Sequence, residues 1–92
     1  MSIRQYNTTV GTAATLICTV LSWSQKTTAT IYNGDAAAIR VGNSTVAMSG
    51  ATAGIAIAAA GTLQIPLNPG DSLFAISTAG TAASAVTVVL TA

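Results

Sequence analysis

The chain has 92 residues, of which 51% are hydrophobic, 5% charged and 4% aromatic, and its formal net charge is +1. That length is one domain, and a chain so short buries only about 60–65% of the surface its unfolded form exposes, so association with other protein would add stability that a lone core supplies poorly. Arg4, Lys26 and Arg40 against Asp35 and Asp71 are too few cations for nucleic acid, which is held through several phosphate contacts, and Tyr6, Trp23, Tyr32 and Phe74 are not interleaved with basic residues as a stacking platform requires.

A free soluble domain keeps about a quarter of its residues charged. Here Thr, Ser, Ala and Asn must form the surface instead. Such a surface suits a protein largely covered by other protein; the plainer reading is a β-domain kept soluble by hydroxyls alone. Residues 41–70 carry no charge, but Gly42, Gly50, Gly54, Gly61 and Pro66 interrupt them and Ser and Thr dilute them. They lack the apolar density of a spanning helix, so no membrane partner is expected. No signal peptide is expected either, because RQYNTT at residues 4–9 stands where an apolar run belongs.

In chain order, residues 1–9 form an arm or a first strand ahead of a single domain at 10–92. Ile3, Arg4 and Tyr6 in that arm are candidates to lie on a neighbouring subunit. ATLICTVL at residues 14–21 is β-branched and apolar throughout and predicts a central strand buried on both faces. Cys18 within it is expected to be a small buried apolar residue, since the chain holds no histidine to activate a thiol and no second cysteine for a disulfide. Trp23, in the link that follows, is either a lid on the core or an exposed anchor.

KTTATIYNGDAAAIRVG at residues 26–42 alternates with period two on either side of Asn33-Gly34. That dipeptide predicts a hairpin closed by a tight I′-type turn. Ala29, Ile31, Ala37, Ile39 and Val41 would face the core, while Tyr32 and Arg40 would share a polar face. There they would either meet a partner or form a simple cross-strand pair. Residues 45–48 are a brief strand, and 49–54 a loop. GIAIAAA at 54–60 is strand or extended loop, too short between its glycines for a helix of two turns. TLQIPL at 62–67 predicts an edge strand or a strand end, because Pro66 lacks an N–H. Asn68-Pro69-Gly70-Asp71 predicts a β-turn. LFAIS at 73–77 and AVTVVLT at 85–91 complete the set, the last with Val86, Val88 and Leu90 inward. Seven or eight short strands with a turn every eight to twelve residues predict an all-β fold, a small antiparallel β-sandwich or jelly-roll-like barrel.

Chemistry has almost no residues to draw on. There is no histidine and no glutamate, and Asp35 and Asp71 both stand beside turn glycines, where aspartate is favoured for bonding its own backbone. A serine triad lacks its base, a transition-metal site lacks its ligands, and no glycine spacing forms a phosphate loop. The expectation is a protein without catalytic residues, cofactor or metal.

Taken together, VGTAATLI at residues 10–17, TATIYNGDAAAIRVG at 28–42, the uncharged Gly-rich segment at 49–61, IPLNPGDSLFAIS at 65–77 and AVTVVL at 85–90 resemble small phage virion proteins of the kind that decorate or cement capsids or attach to tails. The resemblance covers most of the chain, although LSWSQ at 21–25 has no counterpart in it. It implies a β-sandwich or jelly-roll protein on the capsid surface, a homotrimer that bridges major capsid protein subunits and stiffens the shell. On that reading the contact residues would be Ile3, Arg4, Tyr6, Trp23, Tyr32 and Arg40. Two rival readings remain: a tail-fibre or spike module that binds host glycan, for which only Trp23 and Tyr32 could stack on sugar, and a protein that polymerises with itself alone.

Overall fold

The alternating runs fold into eight strands in the computed structural model, which describes residues 3–20, 26–48, 50, 53–81 and 85–91. They are β1 (Ile3–Thr8), β2 (Thr15–Thr19), β3 (Thr27–Asn33), β4 (Ile39–Gly42), β5 (Ile55–Ile57), β6 (Thr62–Leu67), β7 (Ser72–Ser77) and β8 (Val86–Thr91). Two four-stranded sheets form, in the orders β1-β8-β3-β6 and β2-β7-β4-β5, and every strand pair is antiparallel. The fold is a small β-sandwich, as the strand count and spacing predict. β1 pairs with β8 along its whole length, from Ile3 opposite Thr91 to Thr8 opposite Val86, so the N-terminal segment is a strand of the sandwich.

The core lies between the sheets. One sheet contributes Ala29, Ile31, Val86, Val88 and Leu90, and the other Cys18, Ile39, Val41, Ile57, Leu73 and Ala75. These are the alternate residues of each strand, because successive side chains point to opposite faces. Val86, Val88 and Leu90 point inward, and Leu63, Ile65 and Leu67 share the inner face of β6, which is an edge strand. The turn at residues 68–71 also forms as predicted. Asp71 N–H donates to the Asn68 carbonyl at 3.0 Å, and Gly70 has φ of 89°, the left-handed value required at the third position of a type II turn.

The hairpin at Asn33-Gly34 does not form. β3 pairs with β6 and β8, while β4 pairs with β5 and β7 in the opposite sheet. The chain leaves β3, crosses the sandwich and enters β4 as an arch. Indeed it changes sheet at every connection except that between β4 and β5. Gly34 is not at positive φ. It is needed for close approach: a Cβ there would stand 2.7 Å from the Ala85 carbonyl oxygen, and its N–H donates to that same oxygen at 3.0 Å.

Asn33 is fully buried at the start of the arch. Its side-chain amide donates to the carbonyls of Ala37 (2.8 Å), Ile57 (3.1 Å) and Ala58 (3.3 Å), and its Oδ1 accepts from Asp35 N–H at 3.0 Å. Two protons facing three acceptors means that one is shared. The Asn33 backbone donates to the Gly61 carbonyl and accepts from Ala60 N–H. One residue of the first sheet thus satisfies the loops that lead into and out of the second.

Two further sequence expectations change. The run at 14–21 is not a central strand: β2 is an edge, and Leu16 is 49% exposed. A β-bulge between Leu16 and Cys18 turns both Ile17 and Cys18 inward and leaves Leu16 outside. Residues 45–48 make only an isolated bridge, from Ala47 to Ala53.

Asn33→Ala is expected to lower the unfolding free energy by about 2–4 kcal/mol, because it leaves buried carbonyls without a donor; urea titration measures this. Ala60 is the described non-glycine residue with positive φ, at 59°, so Ala60→Gly is expected to raise the unfolding free energy by up to about 1 kcal/mol, read from a higher urea midpoint.

Candidate protein-interaction surface

The registers define the outer face of the β1-β8-β3-β6 sheet. Three cross-strand rows form it: Ile3–Thr91–Thr28–Pro66, Gln5–Val89–Thr30–Gln64 and Asn7–Thr87–Tyr32–Thr62. None of these positions is charged. Several of their polar groups bond within the face: Asn7 Nδ2 donates to Thr87 Oγ1 at 3.0 Å, Gln5 Nε2 to Asn7 Oδ1 at 3.1 Å and Gln64 Nε2 to Thr30 Oγ1 at 3.4 Å. Ile3 and Tyr32 stand 67% and 41% exposed at opposite ends of it. A surface of this kind desolvates without burying an ion, the most costly step in docking.

The second outer face is mixed, with Thr19 paired to Ser72 at one end and apolar residues around a cation elsewhere. Leu16 lies beside Phe74, and Arg40 lies between Ile76 and Ala56. The Arg40 guanidinium is half-buried and donates through Nη1 to the Gly54 carbonyl at 2.8 Å. It anchors the segment that returns to β5. Beside that segment an open groove of about 380 Å³ is lined by Val41, Gly42, Asn43, Thr45 and residues 53–55. Gly54 has no room for a side chain: a Cβ would meet the Val41 carbonyl and the Val46 side chain.

The six residues singled out from the sequence are therefore dispersed. Ile3 and Tyr32 share the uncharged outer face. Arg4 and Tyr6 alternate to the other side of β1, opposite Leu90 and Val88, where Arg4 is exposed and Tyr6 packs partly against the core. Arg40 belongs to the opposite sheet, so the cross-strand pair with Tyr32 does not exist. Trp23 lies outside the described residues. Leu16 and Phe74 were not anticipated as surface residues, since only the bulge in β2 places Leu16 outside.

Both aspartates serve turns. Asp35 Oδ2 accepts from Ala37 N–H at 3.2 Å, and Asp71 Oδ2 from Asn68 N–H at 2.8 Å. Among the described residues no group of three or more His, Cys, Asp or Glu side chains converges. Cys18 is buried within the core, and burial pushes its thiol up to about 11, against a smaller opposing effect of a backbone hydrogen bond at Leu73. Compared with protein-family models, with curated proteins and with solved structures, the chain finds no match in any of the three.

The buried thiol has a pH signature. The fold favours the neutral form, so the stability tied to Cys18 is fully present below the ordinary thiol value of 9.0 and is lost as the pH rises through about 11. Urea midpoints are expected to fall between pH 8 and pH 10.5 by more in the native chain than in Cys18→Ala. Iodoacetamide is expected to label Cys18 only after denaturation.

Proposed function

We propose that this protein is a bacteriophage capsid decoration protein, which docks on the outer surface of the major capsid protein lattice and stabilises the head. The observation that carries the reading is the uncharged, Thr-rich outer face of the β1-β8-β3-β6 sheet. A β-sandwich of 92 residues with 5% charge has a surface suited to being covered, and its sheet is rigid enough to dock without reordering. Single contacts of this size are weak, but a lattice presents many identical sites and stiffens when neighbouring capsid subunits are bridged. The resemblance of the residue 28–42 and 65–77 segments to small virion proteins supplies the capsid as the partner, and the virion surface as the location.

The test is co-sedimentation of the purified chain with heads of the phage that encodes it, stripped of the protein beforehand. Saturable binding at a fixed ratio to the major capsid protein, with added resistance of the heads to heat, is the expected result. Thr30→Lys places a charge at the centre of the face and is expected to weaken binding at least tenfold while leaving the unfolding free energy, measured by urea titration, within about 0.5 kcal/mol of the native chain. Retention on host cells or their polysaccharide, without head binding, would contradict the proposal and favour a glycan-binding module.

A further inference from the structure

The sandwich has four sheet edges, and three carry devices that block strand addition. β6 contains Pro66, which removes a donor from that strand. β2 is kinked by the bulge between Leu16 and Cys18. β5 is only three residues long. β1 is different. It runs six residues in unbroken register with β8, without proline, glycine or bulge. Among the described residues it makes no backbone hydrogen bond beyond its pairing with β8. Ile3, Arg4, Gln5 and Asn7 are exposed along it. A strand of this kind is a template for another strand.

We infer that β1 is a self-association edge, on which a second copy of this chain adds its own β1 in antiparallel register about Gln5. Residues opposite one another in an antiparallel pair lie on the same face of the sheet, so a two-fold axis normal to the sheet must lie midway between the two copies of one residue. Centred on Gln5, the axis sets Gln5 against Gln5, Ile3 against Asn7 and Arg4 against Tyr6. Arg4 is the one charge on the strand. A cation on an edge ordinarily discourages pairing. In this register it meets the partner's aromatic ring rather than its own twin, a favourable cation–ring contact made twice by symmetry. Centring on Arg4 would instead set two cations face to face, which is destabilising. The product is a closed dimer with one continuous eight-stranded sheet, and its uncharged outer faces lie side by side. The contact is smaller than a standard interface of about 800 Å² per partner, so the free dimer is weak, in the micromolar range, and it strengthens when both copies sit on one surface. It stands independently of capsid binding, and its two-fold closure differs from the three-fold assembly that the virion-protein resemblance implies.

Sedimentation equilibrium of the full chain from micromolar to millimolar concentration tests this, together with two variants at the exposed Gln5. The native chain is expected to fit a monomer–dimer equilibrium. Gln5→Lys and Gln5→Glu each set like charges directly opposite, and each is expected to raise the dimer dissociation constant at least tenfold. An equimolar mixture of the two variants is expected to restore dimer to the native level or beyond, which a merely misfolded variant could not do. A monomer throughout, a trimer, or variants that associate as the native chain does would overturn the inference.

Discussion

The side-chain amide of Asn33 is where the two sheets are tied together. The chain has one cysteine and so cannot staple its layers with an internal disulfide. Apolar packing alone would hold two small sheets of Val, Ile, Leu and Ala face to face, but it is non-directional and does little to set their relative position. The directional element is a fully buried amide at the end of β3 that reaches the carbonyls of Ala37, just before β4, and of Ile57 and Ala58, at the end of β5, in the other sheet. A buried polar network of this kind is stabilising only when every member is satisfied. Here the Oδ1 acceptor, the amide donor and both backbone groups all have partners.

That constraint shapes the rest of the surface. Because the arch after Asn33 crosses between layers, Tyr32 and Arg40 end on opposite sides of the molecule, and the polar positions of β3 join those of β8, β1 and β6 to form one uncharged face. The same ordering sets which strands are edges. Three of these are protected by proline, bulge or brevity, while β1 is left long and regular. A protein with so few charges cannot rely on electrostatic repulsion to stay apart from its neighbours, so the shape of its edges decides which contacts it makes.

How much was legible follows from the range of the signals. β6 was readable because its apolar residues recur with period two, β7 and β8 because they are short β-branched and apolar runs bounded by turn residues, and the Pro69-Gly70 turn between β6 and β7 is specified by local backbone chemistry. The position of Asn33-Gly34 was right and its role was not. The dipeptide is favoured in hairpins for positive φ, whereas here Asn33 serves as a buried donor and Gly34 lets the chain pass the Ala85 carbonyl. Nothing within a few residues of the arch distinguishes the two uses, since the acceptors of Asn33 include residues more than twenty positions away. The misplacement of β2 has a similar cause. A bulge adds one residue and reverses the inside and outside of what precedes it, so the β-branched and apolar run of residues 14–21 concealed an edge. Among the described interface candidates, Ile3 and Tyr32 share the uncharged outer face, Arg4 and Tyr6 lie on the other side of β1, and Arg40 belongs to the opposite sheet, because sharing a face depends on pairing between strands distant in sequence.

Hydrogen exchange of the Asn33 side-chain amide, followed by NMR in the native state, tests most directly whether this residue pins the two sheets. Both Nδ2 protons should exchange only through global unfolding, far more slowly than those of the exposed Asn43, and should show cross-relaxation to Ala58. Rapid exchange at the rate of Asn43, with cross-relaxation confined to residues 32–36, would mean that the segment turns back on itself as a local hairpin and that the sheets are held by apolar packing alone.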